Sequence, residues 1–219
     1  MTVCLFKSVP SKTLLAAVLA ACIGGTFQYG YNVSVISSPT KAVQAFINET
    51  WVERHGAEIP TQLLMFLWSS IVSVFGIGGF IGASVGGTLA MKFGRKGTLL
   101  FNNSFALLAA LLMGMSYYAD AFELLILGRF LSGVNAGVAI CVEPLYLGEI
   151  APRALRGAMA MGTSIFISGG ILTGQVMGLR SGFILTHSRL LSHTGSAINV
   201  TLNLNLNLIL IPNHCCSCL

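Results

Sequence analysis

The sequence predicts an all-α membrane protein with about five spanning helices. Three observations lead there. Only 9% of the 219 residues are charged and 54% are hydrophobic, whereas a soluble domain carries about 25% charged residues to keep its surface in water. The charges are gathered between apolar stretches of roughly 20 residues, the length at which a helix crosses ~30 Å of hydrocarbon. Basic clusters also recur in alternate loops, as they do when successive loops lie on opposite faces of a bilayer. With a mean hydropathy of +0.80, a soluble globule of this size would lack the charge to cover itself.

The first span reads as 13–36, preceded by Lys7 and Lys12. Leu19-Ala20-Ala21-Cys22 resembles a lipoprotein cleavage box, but the apolar run continues to Ile36. A secretory signal has an apolar core of only about 7–15 residues, so this stretch is a spanning helix. A polar loop, 39–62, follows with Glu49, Glu53, Arg54, Glu58 and Pro60, its acids outnumbering its bases. The second span, 63–91, is long enough to tilt or to protrude into the interface. Lys92, Arg95 and Lys96 lead into the third, 98–119, and Asp120 and Glu123 mark the turn into the fourth, 122–147. Arg153 and Arg156 precede the fifth, 158–179.

The positive-inside rule then places the amino terminus and the loops holding Arg95 and Arg153 in the cytoplasm. Asn48-Glu49-Thr50 falls on the outer side, where a glycan acceptor is usable. Asn102-Asn103-Ser104 matches the same pattern but lies inside the third span, beyond the reach of a glycosyltransferase. The net charge of +5 is spread over short loops without a basic stripe, so orientation in lipid accounts for it and nucleic acid does not.

Small residues recur at helical spacing: Gly78, Gly82 and Gly86 in the second span, Gly133 and Gly137 in the fourth, Gly170, Gly174 and Gly178 in the fifth. Such stripes let helices approach closely where lipid removes any hydrophobic gain from association. The six cysteines form no disulfide framework. His214-Cys215-Cys216-Ser217-Cys218 has ligand chemistry but no second pair at a zinc spacing, so no metal is expected. Beyond Arg180 the span pattern stops, and Leu202-Asn203-Leu204-Asn205-Leu206-Asn207-Leu208 is a low-complexity alternation. A lone strand has unpaired edges in lipid, so 181–219 is expected to be disordered or associated with the membrane surface.

Polar groups within the spans are the functional candidates. Gln28-Tyr29-Gly30-Tyr31-Asn32 sets two amides and two phenols in the outer half of the first span, and Gln175 stands among glycines and aliphatics in the fifth. Amides and phenols suit a ligand rich in hydroxyls, since each offers donor and acceptor without a buried charge; the same groups also serve as hydrogen bonds between helices. On the cytoplasmic face, Arg95 and Lys96 in one loop meet Glu149, Arg153 and Arg156 near the next. An acid among several bases suggests an ion-pair network able to latch one conformation.

Taken in order, Gln28-Tyr29-Gly30-Tyr31-Asn32, Gly94-Arg95-Lys96, Gly128-Arg129-Phe130, the Pro144-to-Gly157 segment with Tyr146, Gly148, Glu149, Pro152, Arg153 and Arg156, and Gly174-Gln175 resemble the facilitative glucose and fructose transporters of the major facilitator superfamily. The similarity is to the fructose-related class and its member-11-like branch, over residues from about Lys12 to Arg180. The resemblance implies two six-span halves, hexose held near the midplane, and alternating access without cofactor or covalent chemistry. It implies that Gln175 hydrogen-bonds sugar hydroxyls and that Gln28, Tyr29 and Asn32 line or support the cavity. Arg95, Lys96, Glu149, Arg153 and Arg156 would form the cytoplasmic gate network, Arg129 would be structural, and the plasma membrane would be the site of residence. Glu143 matches nothing in the family pattern, and its role is open.

The chain leaves that pattern at Ser181. Residues 1–180 are therefore expected to be a partial amino-terminal half, followed by a divergent tail. Hexose and the lipid bilayer are the expected partners. The alternative is a chain that transports nothing by itself and at most associates with a full-length transporter, because one half has no opposing wall.

Overall fold

A computed structural model of the chain describes residues 18–19, 21–35, 40–119, 121–153 and 155–183. The described residues are helical throughout, joined by short turns, and contain no strand. A π-helical turn, Ile23–Phe27, runs into α1, Gln28–Val35. Then come α2, Thr40–His55; α3, Thr61–Tyr118; α4, Phe122–Ile150; and α5, Arg156–Phe183. The segment 184–219, most of the stretch read above as a tail, lies outside the described residues, and so do Lys7, Lys12 and the His214–Cys218 motif.

Three of these helices are long and apolar enough to cross a membrane: Thr61–Ser116, Phe122–Ile150 and Arg156–Val176. At 58 residues, α3 would be about 87 Å long if straight, close to three times the hydrocarbon thickness. It is not straight. Gly94 has φ 73° and ψ 160°, outside the helical region, a conformation that glycine adopts without the steric cost of a Cβ. The break divides α3 into limbs 61–93 and 95–118, and Lys92, Arg95 and Lys96 cluster around it. One helix by hydrogen bonding is thus two crossings by length, with its charges at the bend.

The second divergence from the sequence reading is α2. The region 39–62 reads as a polar loop, yet Thr40–His55 is helical. Its buried Val43, Ile47 and Thr50 fall at helical spacing. Val43 and Ile47 pack with Ile59, Ile71, Phe122 and Leu125, while Glu49 and Glu53 face outward. The helix is amphipathic and too polar for a span, so a hydropathy scan passes over it. Arg54 at its end meets Glu123 at the start of α4, Nη1 to Oε1 at 2.6 Å and Nη2 to Oε2 at 3.3 Å. The guanidinium also lies over the Phe122 ring, 5.4 Å from its centroid. These contacts fasten α2 across the adjoining ends of α3 and α4.

The rest of the bundle is two helix pairs built on glycine. In α3 against α4, a Cβ at Gly78 would strike the Phe130 carbonyl, and one at Gly137 would strike the Gly79 carbonyl. In α1 against α5, a Cβ at Gly30 would strike the Ile167 carbonyl, and one at Gly170 the Phe27 carbonyl. The contact is reciprocal in each pair, so backbone lies on backbone from both sides. Asn102 adds a polar clasp between the second limb of α3 and α4, its Nδ2 donating to the Asn135 carbonyl at 2.9 Å. It is buried, as is Asn103.

The packing makes a measurable claim. Gly137→Leu should lower the thermal unfolding midpoint in detergent, through an overpacking cost of about 1–3 kcal/mol or more. Gly148→Leu, where an added Cβ would meet nothing within 4 Å, should change it little. Equal losses at both positions would show that the α3–α4 contact is not the constraint.

Candidate functional site

The polar residues of α1 sit just beyond the π-helical turn, on a helix pressed against α5 through glycine. Tyr29 is part-buried and its ring stacks on Phe75 of α3, centroids 6.4 Å apart and planes 26° from parallel. Asn32 is 8% exposed. Its Nδ2 donates to the Gln28 carbonyl at 3.1 Å, one helical turn back. Its own carbonyl accepts from Nη1 of Arg129, a buried side chain of α4, at 3.3 Å. Arg129 therefore ties α4 to the polar end of α1, and Asn32 is held from two sides.

Gln175 is carried on α5 and is exposed. The preceding residue, Gly174, lies against Ser34, where an added Cβ would come within 2.9 Å of the serine Cβ and 3.2 Å of the Tyr31 carbonyl. The glycine contact thus sets Gln175 at the level of residues 31–34 of α1. Gln28, Tyr29 and Asn32 are carried on α1, with Tyr29 turned to α3 and Asn32 to α4, while Gln175 follows the glycine at which α5 meets α1. They differ in exposure: Gln175 is open, Gln28 and Tyr29 are part-buried, and Asn32 is enclosed.

At the far end of α4, Arg95 and Glu149 form an ion pair, Nη2 to Oε1 at 2.8 Å. The bend at Gly94 places Arg95 at the start of a limb, next to the carboxyl end of α4, where the helix dipole also favours a cation. Both side chains are about half exposed, 41% and 51%, so the pair contributes at most about 1 kcal/mol to stability. Its value is positional. Arg156 donates from Nε to the Ala151 carbonyl at 3.4 Å and thereby closes the turn between α4 and α5. Lys96 is part-buried beside Arg95, and Arg153 is exposed on the turn. Of the residues expected there, Arg95 meets Glu149 and Arg156 closes the turn.

Sequence reasoning left Glu143 unassigned, and the structure gives it a place. The side chain is fully buried on α4, and both carboxylate oxygens accept from Thr26 in the π-helical turn. Thr26 carried no signal in the sequence, since a threonine in an apolar run is ordinary. Asn48 lies on α2, part-buried, with its Oδ1 accepting from the Ile59 N–H at 3.3 Å. Among the described residues no group of three or more His, Cys, Asp or Glu is placed to hold a metal. What the region offers chemically is hydrogen bonding by neutral amides and phenols along a helix pair.

Comparison with known proteins gives that geometry a lineage. The family model described as "Sugar (and other) transporter" matches residues 17–212. Among curated relatives, human solute carrier family 2, facilitated glucose transporter member 11, is 51% identical over 174 residues, covering 80% of this chain and 35% of the relative. Mouse member 5 of the same family is 50% identical over 168 residues, covering 77% and 34%. The chain thus spans about a third of the length of the curated relatives it matches. Among solved structures, the proton:xylose symporter XylE bound to 6-bromo-6-deoxy-D-glucose superposes with a TM-score of 0.79 at 19% identity, covering 91% of this chain and 45% of that one. The partially occluded inward open form of XylE from E. coli gives 0.78, covering 92% and 49%. The XylE likeness establishes the major-facilitator fold, and the family match with the member 11 and member 5 identities establishes the lineage: this chain belongs to the sugar transporter family, multi-pass membrane transporters and not enzymes, and carries part of their all-helical fold.

Proposed function

We propose that these helices form one wall of a facilitative hexose pathway, with glucose or fructose as the sugar, and that residues 1–180 are the amino-terminal part of a sugar-porter bundle. The observation that carries this reading is the exposed Gln175, seated by the Gly174 contact beside α1 and its polar run from Gln28 to Asn32. A hexose offers several hydroxyls, and a neutral amide can meet them as donor and acceptor together. Gln175 contacts the sugar in this reading, Gln28 and Tyr29 line the same wall, and Asn32 supports it from beneath. No cofactor takes part. The names of the two relatives, both facilitated glucose transporters, support the substrate class.

A second reading concerns the 219-residue polypeptide by itself. Large apolar side chains stand exposed on α3 and α5, among them Phe80, Met91, Ile165 and Leu172. They favour a chain that rests against lipid and a full-length transporter and moves no sugar alone, since a single wall has nothing to alternate against. Gln175→Ala in a transport-active chain containing these helices should lower hexose uptake into liposomes about tenfold, the equivalent of roughly 1.4 kcal/mol or one hydrogen bond. In the same assay, the 219-residue chain should give no uptake alone and should co-purify with a full-length relative. Uptake by it alone, lost in Gln175→Ala, would overturn the second reading, and unchanged uptake in the variant would overturn the first.

Arg95 and Glu149 are assigned to a cytoplasmic latch, with Lys96, Arg153 and Arg156 completing the charged face. Reversing one charge, Arg95→Glu, should slow transport severalfold, and adding Glu149→Arg should restore part of the loss. A double variant no better than the single would remove the pair from the latch.

The plasma membrane is proposed as the site of residence, with the amino terminus inside and Asn48 outside. Endoglycosidase treatment of the protein from mammalian cells should increase its gel mobility, and Asn48→Gln should abolish the shift. A chain that shows no shift would leave the outward placement of α2 without support.

A further inference from the structure

Glu143 is a carboxyl group within a spanning helix, about two turns from its carboxyl end, with none of its surface exposed. Among the described residues no base pairs with it. Arg129 on the same helix is about four turns away, roughly 21 Å along the axis. The groups around it are apolar or neutral. Cys22, from the segment before α1, and Val142 belong to a cluster with Ala90 and Leu99 of α3, and Met159 and Phe166 of α5 pack on its edge. Cys22, Cys141 at its edge and, one turn along α4, Tyr146 are the titratable side chains of that cluster. Ionisable residues within a membrane are costly to keep and mark functional positions.

The Cys22 thiol also hydrogen-bonds Glu143, and the Thr26 contacts suit two protonation states. Oε2 accepts the Thr26 backbone N–H at 2.8 Å, and Oε1 lies 3.0 Å from Thr26 Oγ1. That hydroxyl also lies 3.1 Å from the Cys22 carbonyl. A hydroxyl has one hydrogen, so it donates to one of the two at a time. When the carboxylate is charged, the hydroxyl donates to Oε1. When a proton is bound at Oε1, the acid donates to Oγ1, and the hydroxyl hydrogen turns to the Cys22 carbonyl. The Thr26 N–H stays on Oε2 in both. No heavy atom has to move, and no donor or acceptor is left unmet.

The setting is fitted to this group. Gly25 leaves the room: a Cβ there would collide with Oε2. The π-helical turn Ile23–Phe27 carries the Thr26 N–H that the carboxylate accepts, and π-helical turns recur at functional positions.

We propose that Glu143 is a proton-binding site, one that takes up and gives up a single proton inside the bundle while the Thr26 hydroxyl turns between the carboxylate and the Cys22 carbonyl, and so sets the charge behind the turn leading into α1. The site stands apart from sugar recognition and works without sugar.

The test is infrared spectroscopy of the purified 219-residue chain in lipid nanodiscs, without sugar, over a pH series. The expected result is a carbonyl stretch of a water-shielded carboxylic acid that titrates with one midpoint and is absent in Glu143→Gln. Gly25→Ala supplies a second arm that keeps the carboxyl group. Its Cβ meets Oε2 at the movable end of a side chain, so it displaces the carboxylate from the Thr26 N–H and leaves the backbone in place. The band should then persist with its midpoint moved by about one pH unit, a tenfold change in proton affinity. A wild-type chain without the band at any pH, a band that survives Glu143→Gln, or a midpoint indifferent to Gly25→Ala would each overturn the proposal.

Discussion

Backbone-to-backbone contact through glycine is the constraint from which the other features follow. In water, helices associate because apolar side chains leave the solvent, but in lipid that gain is absent and close packing must replace it. Here the replacement is reciprocal at both helix pairs: α4 meets α3 near Gly78 and Gly137, and α1 meets α5 near Gly30 and Gly170. The second pair decides where Gln175 stands, because Gly174 cannot seat on Ser34 unless the helices are already in contact. The first pair fixes α4, the helix that bears Arg129, Glu143 and Glu149, three side chains that reach out to three different partners. A side chain of ordinary size in either seam would separate elements whose polar groups are held at hydrogen-bond distance.

The polar contacts form a second layer on that frame. Three buried polar contacts link α4 to a neighbour at points where the backbone would otherwise be indifferent to register. Arg129 meets the Asn32 carbonyl, Glu143 meets Thr26, and Asn102 meets the Asn135 carbonyl. Glycine seams alone permit sliding, since one glycine resembles the next. Directional bonds across the seam select a single register, and charges at the helix ends, Arg54 with Glu123 and Arg95 with Glu149, do the same where water reaches.

What was legible in the sequence is what depends on period and composition. The glycine spacing announced the helix contacts, and the grouping of Arg95 and Lys96 with Glu149, Arg153 and Arg156 pointed to the contact of Arg95 with Glu149. The polar run from Gln28 to Asn32 marked the region that α5 meets. Two kinds of feature escaped. The helix α2 was hidden because its buried apolar residues, Val43 and Ile47, are few and its outer face is charged, so it looks like a loop to any measure built on span hydrophobicity. The Glu143–Thr26 contact was hidden because it joins residues 117 apart in the chain, and nothing local to either residue names the other. Asn32 shows a third limit: its residue type suggested a lining role, while its enclosure depends on Arg129 arriving from another helix.

The bend at Gly94 bears on how such a chain enters a membrane. Its two limbs are continuous in hydrogen bonding on either side of one residue, so they can enter lipid together as a hairpin, apex last. Lys92, Arg95 and Lys96 sit at that apex. Carrying a lysine or arginine to the bilayer centre costs about 2.5–3.5 kcal/mol on insertion scales, and a hairpin entering tips-first spares all three the crossing. A residue at Gly94 that resisted positive φ would favour a single straight rod, too long for the bilayer and charged near its middle. The glycine thus allows a charged apex to stay out of the hydrocarbon as well as setting where the two limbs turn.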